Sequence, residues 1–241
     1  MKTNDSSHKQ QGILPLYHMA LVEEKLGPGR RVVLWIAGCP FRCTGCIEEH
    51  LQSKGKGEPI DPDTLFEHLQ AHLEACDGLT LTGGEPLYHP IPLQHFLSRI
   101  KEKGTHVMLF TGYSTEEFEC HFKEFHPLVD LCVTEPFDIK THGNHLWRGS
   151  SNQLLSSPSG YHTTQILEKW MQTPGNGIHL HIDDTGDAFI YGIPAPGQNE
   201  KIEKLLLSKG IHIYENYLST KVLDYDNKPN GNPPVFQSLQ K

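Results

Sequence analysis

Short apolar runs alternate with longer amphipathic segments through most of the chain. Residues 32–37 are apolar at every position, and the run is too short for a helix. A run of this kind predicts a strand covered on both faces, as in a parallel sheet. Three later runs predict further strands at residues 79–82, 107–111 and 128–133.

The segments between these runs carry helix signals. Asp61 fits an N-cap and Pro62 the first helical position, which predicts a helix to about residue 75. A second helix covers residues 93–100, and Ser114 with Glu117 has the spacing of a capping box that opens a third. Strand and helix alternate four times. This alternation predicts an α/β fold with right-handed crossovers, whose parallel strands form an open sheet or a partial (β/α) barrel.

The two ends of the chain have weaker patterns. Residues 14–23 fit an entry strand or turn, and residues 141–159 fit an extended loop. Beyond them we expect a helix at 163–172, a hairpin of strands 178–182 and 188–192, a helix capped by Asn199, and a strand at 211–214. The predicted organisation is a disordered N-terminus (1–13), a core (14–159), an α+β extension completing or flanking the barrel (160–222) and a mobile tail (223–241).

Charge and composition exclude several classes of function. The net charge is -8, and no basic run exceeds Arg30-Arg31, so a nucleic-acid surface is not expected. No apolar stretch is long enough to cross a bilayer, and the start lacks a signal peptide, so we expect a cytoplasmic protein that does not bind membranes. In that compartment the six cysteines are thiols. Cys76, Cys120 and Cys132 are interpreted as small core residues.

Cys39, Cys43 and Cys46 form a C-x3-C-x2-C motif directly after the first apolar run. The carboxyl end of a strand is where α/β folds place their chemistry. Three thiolates can hold three irons of a 4Fe-4S cluster, and the fourth iron, without a local cysteine, stays open to a small molecule. A zinc knuckle or an unrelated group of thiols is the alternative.

The cysteine spacing resembles that of the radical S-adenosylmethionine (radical SAM) enzymes. A second motif of that superfamily, Gly83-Gly84-Glu85-Pro86, follows the second predicted strand. The resemblance implies that the three cysteines bind the cluster and that Gly83, Gly84, Glu85 and Pro86 hold the methionine end of SAM. For Thr111 and Tyr113, at the next strand end, two alternatives stay open: contact with the ribose or adenine, as the resemblance implies, or simple packing at the strand end.

Further motifs resemble the activating enzymes of anaerobic ribonucleotide reductase. They are residues 27–31, 111–113 and 147–153. The chain departs from that subgroup at Ile47-Glu48, where the family has a pair such as His-Asn, and at residues 134–137, where it has Asp-Gly-x-Phe.

The resemblance implies reductive cleavage of SAM at a 4Fe-4S cluster, giving a 5′-deoxyadenosyl radical that abstracts a hydrogen atom. The implied partners are SAM, a low-potential electron donor such as flavodoxin, and a glycyl radical enzyme that the chain activates. Two alternatives stay open. The chain could act directly on a peptide or small molecule, or it could be a non-enzymatic iron-sulfur or zinc module.

Overall fold

A computed structural model describes residues 12–53, 55–175, 177–182 and 188–208. Its strands are β1 (Leu14–Glu23), β2 (Arg30–Ile36), β3 (Glu58–Ile60), β4 (Gly78–Gly83), β5 (Val107–Phe110), β6 (Leu131–Thr134), β7 (His142–His145), β8 (Arg148–Ser150), β9 (Leu154–Ser156), β10 (Ile178–Ile182) and β11 (Ala188–Gly192). Its helices are α1 (Pro62–Glu74), α2 (Pro90–Glu102), α3 (Thr115–His121), α4 (Thr164–Gln172) and α5 (Gln198–Ser208). No helix among these residues is both long and apolar enough to span a membrane.

One mixed sheet of seven strands organises the fold, in the order β3-β1-β2-β4-β5-β6-β9. The pairs β2-β4, β4-β5 and β5-β6 are parallel, whereas β1, β3 and β9 join the sheet antiparallel. The predicted α/β fold is therefore confirmed. The four alternating strands predicted to be parallel are parallel, and the antiparallel strands β1, β3 and β9 extend the sheet at both edges. Two glycines with positive φ, Gly27 and Gly29, turn the chain between β1 and β2, and so short a connection requires antiparallel strands.

Most predicted boundaries agree with the structure because caps fix them. The Asp61 side chain accepts hydrogen bonds from the backbone N–H groups of Asp63 and Thr64 at the start of α1. Both bonds of the Ser114–Glu117 capping box are present at α3. The hairpin β10–β11 has the predicted bounds and pairs Ile178 with Gly192.

Three expectations need correction. The fourth predicted strand begins late, at Leu131, because a 3-10 turn containing Pro127 precedes it. The predicted loop 141–159 contains the short strands β7, β8 and β9. Helix α5 begins at Gln198, so Asn199 lies within it and is not its cap. The predicted strand 211–214, the tail 223–241 and nearly all of the predicted disordered N-terminus lie outside the described residues.

Helices α1, α2 and α3 cover one face of the sheet. Leu34 and Leu81 pack with apolar side chains of α1, α2 and α3 in the largest core cluster. On the other face Trp35 packs with Tyr191 of β11, and Met108 packs with Trp170 of α4. The residues after 160 thus cover the face of the sheet that α1, α2 and α3 leave open.

Charged residues are buried at the amino edge of the parallel strands. Arg31 is 1% exposed and donates hydrogen bonds to the Thr80 hydroxyl (2.6 Å) and the Leu79 carbonyl (2.5 Å). The carboxylate of Asp130, also buried, accepts hydrogen bonds from Lys101 Nζ (2.6 Å) and the Val107 N–H (2.9 Å). Satisfied buried charges of this kind fix the register of β2, β4 and β5 at the edge opposite the cysteine loop.

We expect stability to fall as the pH drops from about 7.5 to about 5.5, partly through His18. Burial lowers the pKa of His18 to about 4, whereas the unfolded chain takes up this proton near pH 6.5. The stability contributed by neutral His18 is therefore present above pH 6.5 and is lost as the pH falls toward 4. Between pH 7.5 and pH 5.5 this loss is roughly 1 kcal/mol. Chemical denaturation at both pH values measures the loss. Between the same two pH values the free energy of unfolding should fall less in His18→Phe than in the wild type. Equal decreases in the two proteins would contradict the prediction.

Candidate active site

Four loops meet at the carboxyl edge of the sheet because β2, β4, β5 and β6 are parallel. The loop after β2 carries the three cysteines. The loops after β4, β5 and β6 begin at Gly84, Thr111 and Glu135. The two motifs singled out from the sequence therefore lie at the same edge, on adjacent strands.

Backbone hydrogen bonds join the cysteine loop to the end of β4. The Gly84 N–H donates to the Ile36 carbonyl and the Glu85 N–H to the Gly38 carbonyl, each at 2.8 Å. The Nε2 atom of His89 lies 3.0 Å from the carbonyl oxygen of Ala37. The glycine-rich tip is thus held directly beside Cys39.

The two glycines at this tip are required by packing between strand ends. A Cβ on Gly84 would lie 2.5 Å from the Gly38 carbonyl oxygen. Gly83 has a φ of +110°, and a Cβ there would lie 2.6 Å from the Ile36 nitrogen. The end of β2 excludes a side chain at Gly83, and Gly38 at the start of the cysteine loop excludes one at Gly84.

Glu85 is buried, and its carboxylate is hydrogen-bonded to groups of the protein. One oxygen accepts hydrogen bonds from the Leu87 N–H (2.9 Å) and the Thr111 hydroxyl (3.0 Å), and the other accepts one from the Gly112 N–H (2.7 Å). Burial raises the pKa of Glu85 to about 7. The side chain therefore links the loops after β4 and β5. Pro86 begins the 3-10 turn Pro86–Tyr88 that Glu85 caps.

Thr111 and Tyr113 extend this link toward the cysteine loop. Besides its bond to Glu85, Thr111 Oγ1 accepts a hydrogen bond from the Tyr113 N–H at 3.2 Å. The Tyr113 ring lies 5.0 Å from the ring of Phe41 in the cysteine loop and 4.9 Å from that of Phe122. Burial raises the pKa of Tyr113, and the nearby Glu85 charge adds to the shift.

The three thiols of the cysteine loop lie close enough to influence one another. Each cysteine is partly exposed. Burial raises the pKa of Cys39 to about 11, with smaller contributions from the negative charges of Glu85, Cys46 and Cys43. Burial likewise raises the pKa of Cys46. Neutral thiols of this kind release protons when they bind a metal.

This donor set fits a 4Fe-4S cluster with one open iron. Sulfur ligands suit iron-sulfur clusters, and in a cubane each thiolate holds a different iron. Within the described parts of the chain, no three His, Cys, Asp or Glu side chains, these cysteines included, are grouped to hold one metal ion. A cubane does not need such a group, because its thiolates bind separate irons. The remaining cysteines supply no fourth ligand, since Cys132 is in the core, Cys76 precedes β4 and Cys120 lies on α3. Cys120 is exposed, so its assignment to the core is wrong.

A cavity of about 630 Å³ opens beside the cysteine loop. Of the predicted site residues, Cys46 and Gly83 line it. Trp35, Thr82 and Phe110 contribute from the sheet. The contribution of residues 190–194 to this cavity could not be predicted, because a hairpin pattern does not show which surface the hairpin covers.

The motif 147–153 supports the loop after β6. Arg148 is buried and donates hydrogen bonds to the carbonyls of Gln153 (3.1 Å) and Met171 (2.6 Å). The Gln153 amide accepts from the Gly149 N–H at 2.8 Å and donates to the Glu135 carbonyl at 3.2 Å. These bonds hold the chain at Glu135, whose φ of +78° is rare for a residue with a side chain.

Gly84→Ala should separate the cysteine loop from β4, because the added methyl group overlaps the Gly38 carbonyl. Overpacking of this kind costs about 1–3 kcal/mol. We expect a lower melting temperature and less iron bound after anaerobic reconstitution. Gly104→Ala is the control, because a Cβ there meets no atom within 4 Å. Gly104→Ala should lower the free energy of unfolding only by the left-handed backbone strain, about 1 kcal/mol. Its iron loading should be unchanged. Normal iron loading in Gly84→Ala would contradict the prediction.

Comparison with known proteins identifies the family. The model of the 4Fe-4S single cluster domain matches residues 25–156. The anaerobic ribonucleoside-triphosphate reductase-activating protein of Enterobacteria phage T4 is 34% identical over 137 residues, which cover 54% of this chain and 86% of the phage protein. The protein of that name from Escherichia coli K12 is 30% identical over 139 residues, covering 54% of this chain and 89% of the relative.

Among solved structures, QueE from Escherichia coli matches with a TM-score of 0.36 and 18% identity, over 42% of this chain and 54% of QueE. The family assignment comes from the sequence matches. The chain belongs to the 4Fe-4S single cluster domain family.

Proposed function

We propose that this chain activates an anaerobic ribonucleoside-triphosphate reductase by forming a glycyl radical on it. The observation that carries the proposal is the hydrogen-bonded junction of the two motifs, with Gly84 bound to Ile36 and Glu85 to Gly38. This junction holds the glycine-rich tip next to a three-thiol loop. The names of the matched relatives supply the partner, and the match spans nearly their whole length.

We assign the cluster ligands to Cys39, Cys43 and Cys46, and the methionine side of SAM to residues 83–86. Thr111 and Tyr113 are assigned to the nucleoside side. In this proposal β2, β4, β5 and β6 form part of a (β/α) barrel. A 4Fe-4S cluster held by Cys39, Cys43 and Cys46 would supply the single electron needed for reductive cleavage of SAM, and so for removal of a hydrogen atom from the partner's glycine.

The protein's own residues position and shield this chemistry. The Glu85 carboxylate fixes the loops after β4 and β5 through three hydrogen bonds, so that the tip keeps its place when SAM binds. The contact between Phe41 and Tyr113 covers the cysteine loop on one side with aromatic rings. Enclosure of this kind protects a radical from water and from side reactions.

The proposal extends to location, electron supply and organisation. A reducing cytoplasm suits the free thiols. A low-potential donor such as flavodoxin suits cluster cysteines that are partly exposed. Residues 160–208 form an extension of the 14–159 core because α4 and β11 pack directly on its sheet.

A second candidate is a radical SAM enzyme that acts directly on a peptide or small molecule. The observation favouring it is the cavity of about 630 Å³, a size suited to a small ligand. The replacement of the family's His-Asn-like pair by Ile47-Glu48 at the cavity wall also distinguishes this chain.

Cys43→Ser should abolish the visible absorption of the reconstituted cluster and the release of 5′-deoxyadenosine, because a serine hydroxyl is a poor ligand for iron in a sulfide cluster. The melting temperature of the metal-free protein should stay close to that of the wild type. Cys120→Ser is the matched control and should retain both the absorption and the activity. Retained SAM cleavage in Cys43→Ser would overturn the ligand assignment.

Anaerobic incubation with SAM, a reductant and a candidate reductase should produce a glycine-centred signal by electron paramagnetic resonance. The signal should require all three additions and should be absent when the reductase carries alanine in place of that glycine. SAM cleavage without any glycine-centred signal on reductases encoded beside this chain's gene would favour the second candidate.

A further inference from the structure

One wall of the cavity comes from a segment outside the family match. The match ends at residue 156, whereas residues 190–194 and Asn199 line the cavity opposite the cysteine loop. The relatives are matched over 86% and 89% of their own length. What remains of each relative is too short to supply a segment as long as 157–208. A segment as long as 157–208 is therefore a feature of this chain that these relatives lack.

Specific contacts fix this wall onto the sheet. Tyr191 is 4% exposed, its hydroxyl lies 3.1 Å from His18 Nε2, and its ring lies 5.6 Å from that of Trp35. Nε2 of His142, in β7, lies 3.0 Å from the Pro194 carbonyl. Ile193, between these two anchors, packs against the cluster that contains Trp35 and Tyr191. The position of the wall is thus set by contacts on either side of Ile193.

The chemistry of the lining restricts what the cavity can hold. None of the described residues that line it is Lys or Arg, whereas Glu48 and Glu49 are among them. Trp35, Phe110 and Phe137 add aromatic surface. A lining of carboxylates and aromatic rings disfavours phosphate groups, which are usually bound by Lys, Arg or backbone N–H groups. It favours an uncharged or cationic segment with apolar side chains, such as a short stretch of polypeptide.

The wall and the proposed SAM site are different parts of the enclosure. Of the residues assigned to SAM, only Gly83 is among the described residues that line the cavity. A change at Ile193 should therefore act on whatever enters the cavity and leave SAM binding in place.

We propose that the end of the β10–β11 hairpin, through Ile193 directly after β11, determines which partner segment reaches the radical. The cavity admits a narrow, phosphate-free polypeptide segment that carries the reacting glycine of the reductase. This inference rests on the proposed function and adds to it the structural element that selects the partner.

The test is to fill the cavity from its wall with Ile193→Trp. The control is Leu180→Trp, which adds an indole at a 42% exposed position of the same hairpin. Ile193→Val serves as the conservative variant. Each is compared with the wild type by melting temperature, cluster absorption, calorimetric SAM binding, 5′-deoxyadenosine release without partner, and the glycine-centred signal on the reductase.

We expect Ile193→Trp to reduce the glycine-centred signal at least tenfold while SAM binding and partner-free cleavage stay within twofold of the wild type. Leu180→Trp and Ile193→Val should behave as the wild type. An undiminished signal in Ile193→Trp overturns the inference alone. Loss of SAM binding in step with the signal also overturns it, because the wall then contacts SAM. A wild type that cleaves SAM but gives no signal contradicts the proposed function and this inference with it.

Discussion

The site depends on one buried carboxylate and the backbone junction beside it. Glu85 accepts hydrogen bonds from Leu87, Thr111 and Gly112, so one side chain joins the loops after β4 and β5. Its own N–H donates to Gly38, which joins both loops to the cysteine loop. Buried acceptors that satisfy several donors are costly to remove. Glu85 therefore ties the cysteine loop to the sheet, in addition to the loop's own contacts such as that between Phe41 and Tyr113.

The two faces of the sheet serve different purposes. Helices α1 to α3 pack on one face and give the largest apolar cluster, which includes Leu34, Leu81 and Phe96. The other face packs against α4 and β11, and on this face the cavity lies between the cysteine loop and residues 190–194. The extension is therefore both a part of the core and a wall of the site.

The core strands and helices could be predicted because their signals are local. Val32 to Ile36 alternate between the two covered faces, and both are apolar, so the run shows a buried strand. Asp61 and Ser114 act within a few residues of themselves. The edge strands could not be assigned this way, since antiparallel pairing of β9 with β6 depends on contacts distant in sequence.

For the site, the cysteine spacing located the loop and the Gly-Gly-Glu-Pro motif located its neighbour. The direction of the Glu85 side chain could not be predicted, because a carboxylate in a motif looks the same whether it faces a ligand or the protein. Tyr191 was missed for a similar reason. Its role comes from contacts with His18 and Trp35, more than 150 positions away in the chain.

The amino edge of the sheet carries the buried side chains of Arg31 and Asp130, which are hydrogen-bonded far from the cysteine loop. The buried charged side chains and the cysteine loop thus lie at opposite ends of the same strands. Substitutions near Arg31 or Asp130 can therefore change the stability of the sheet without contacting the cysteine loop.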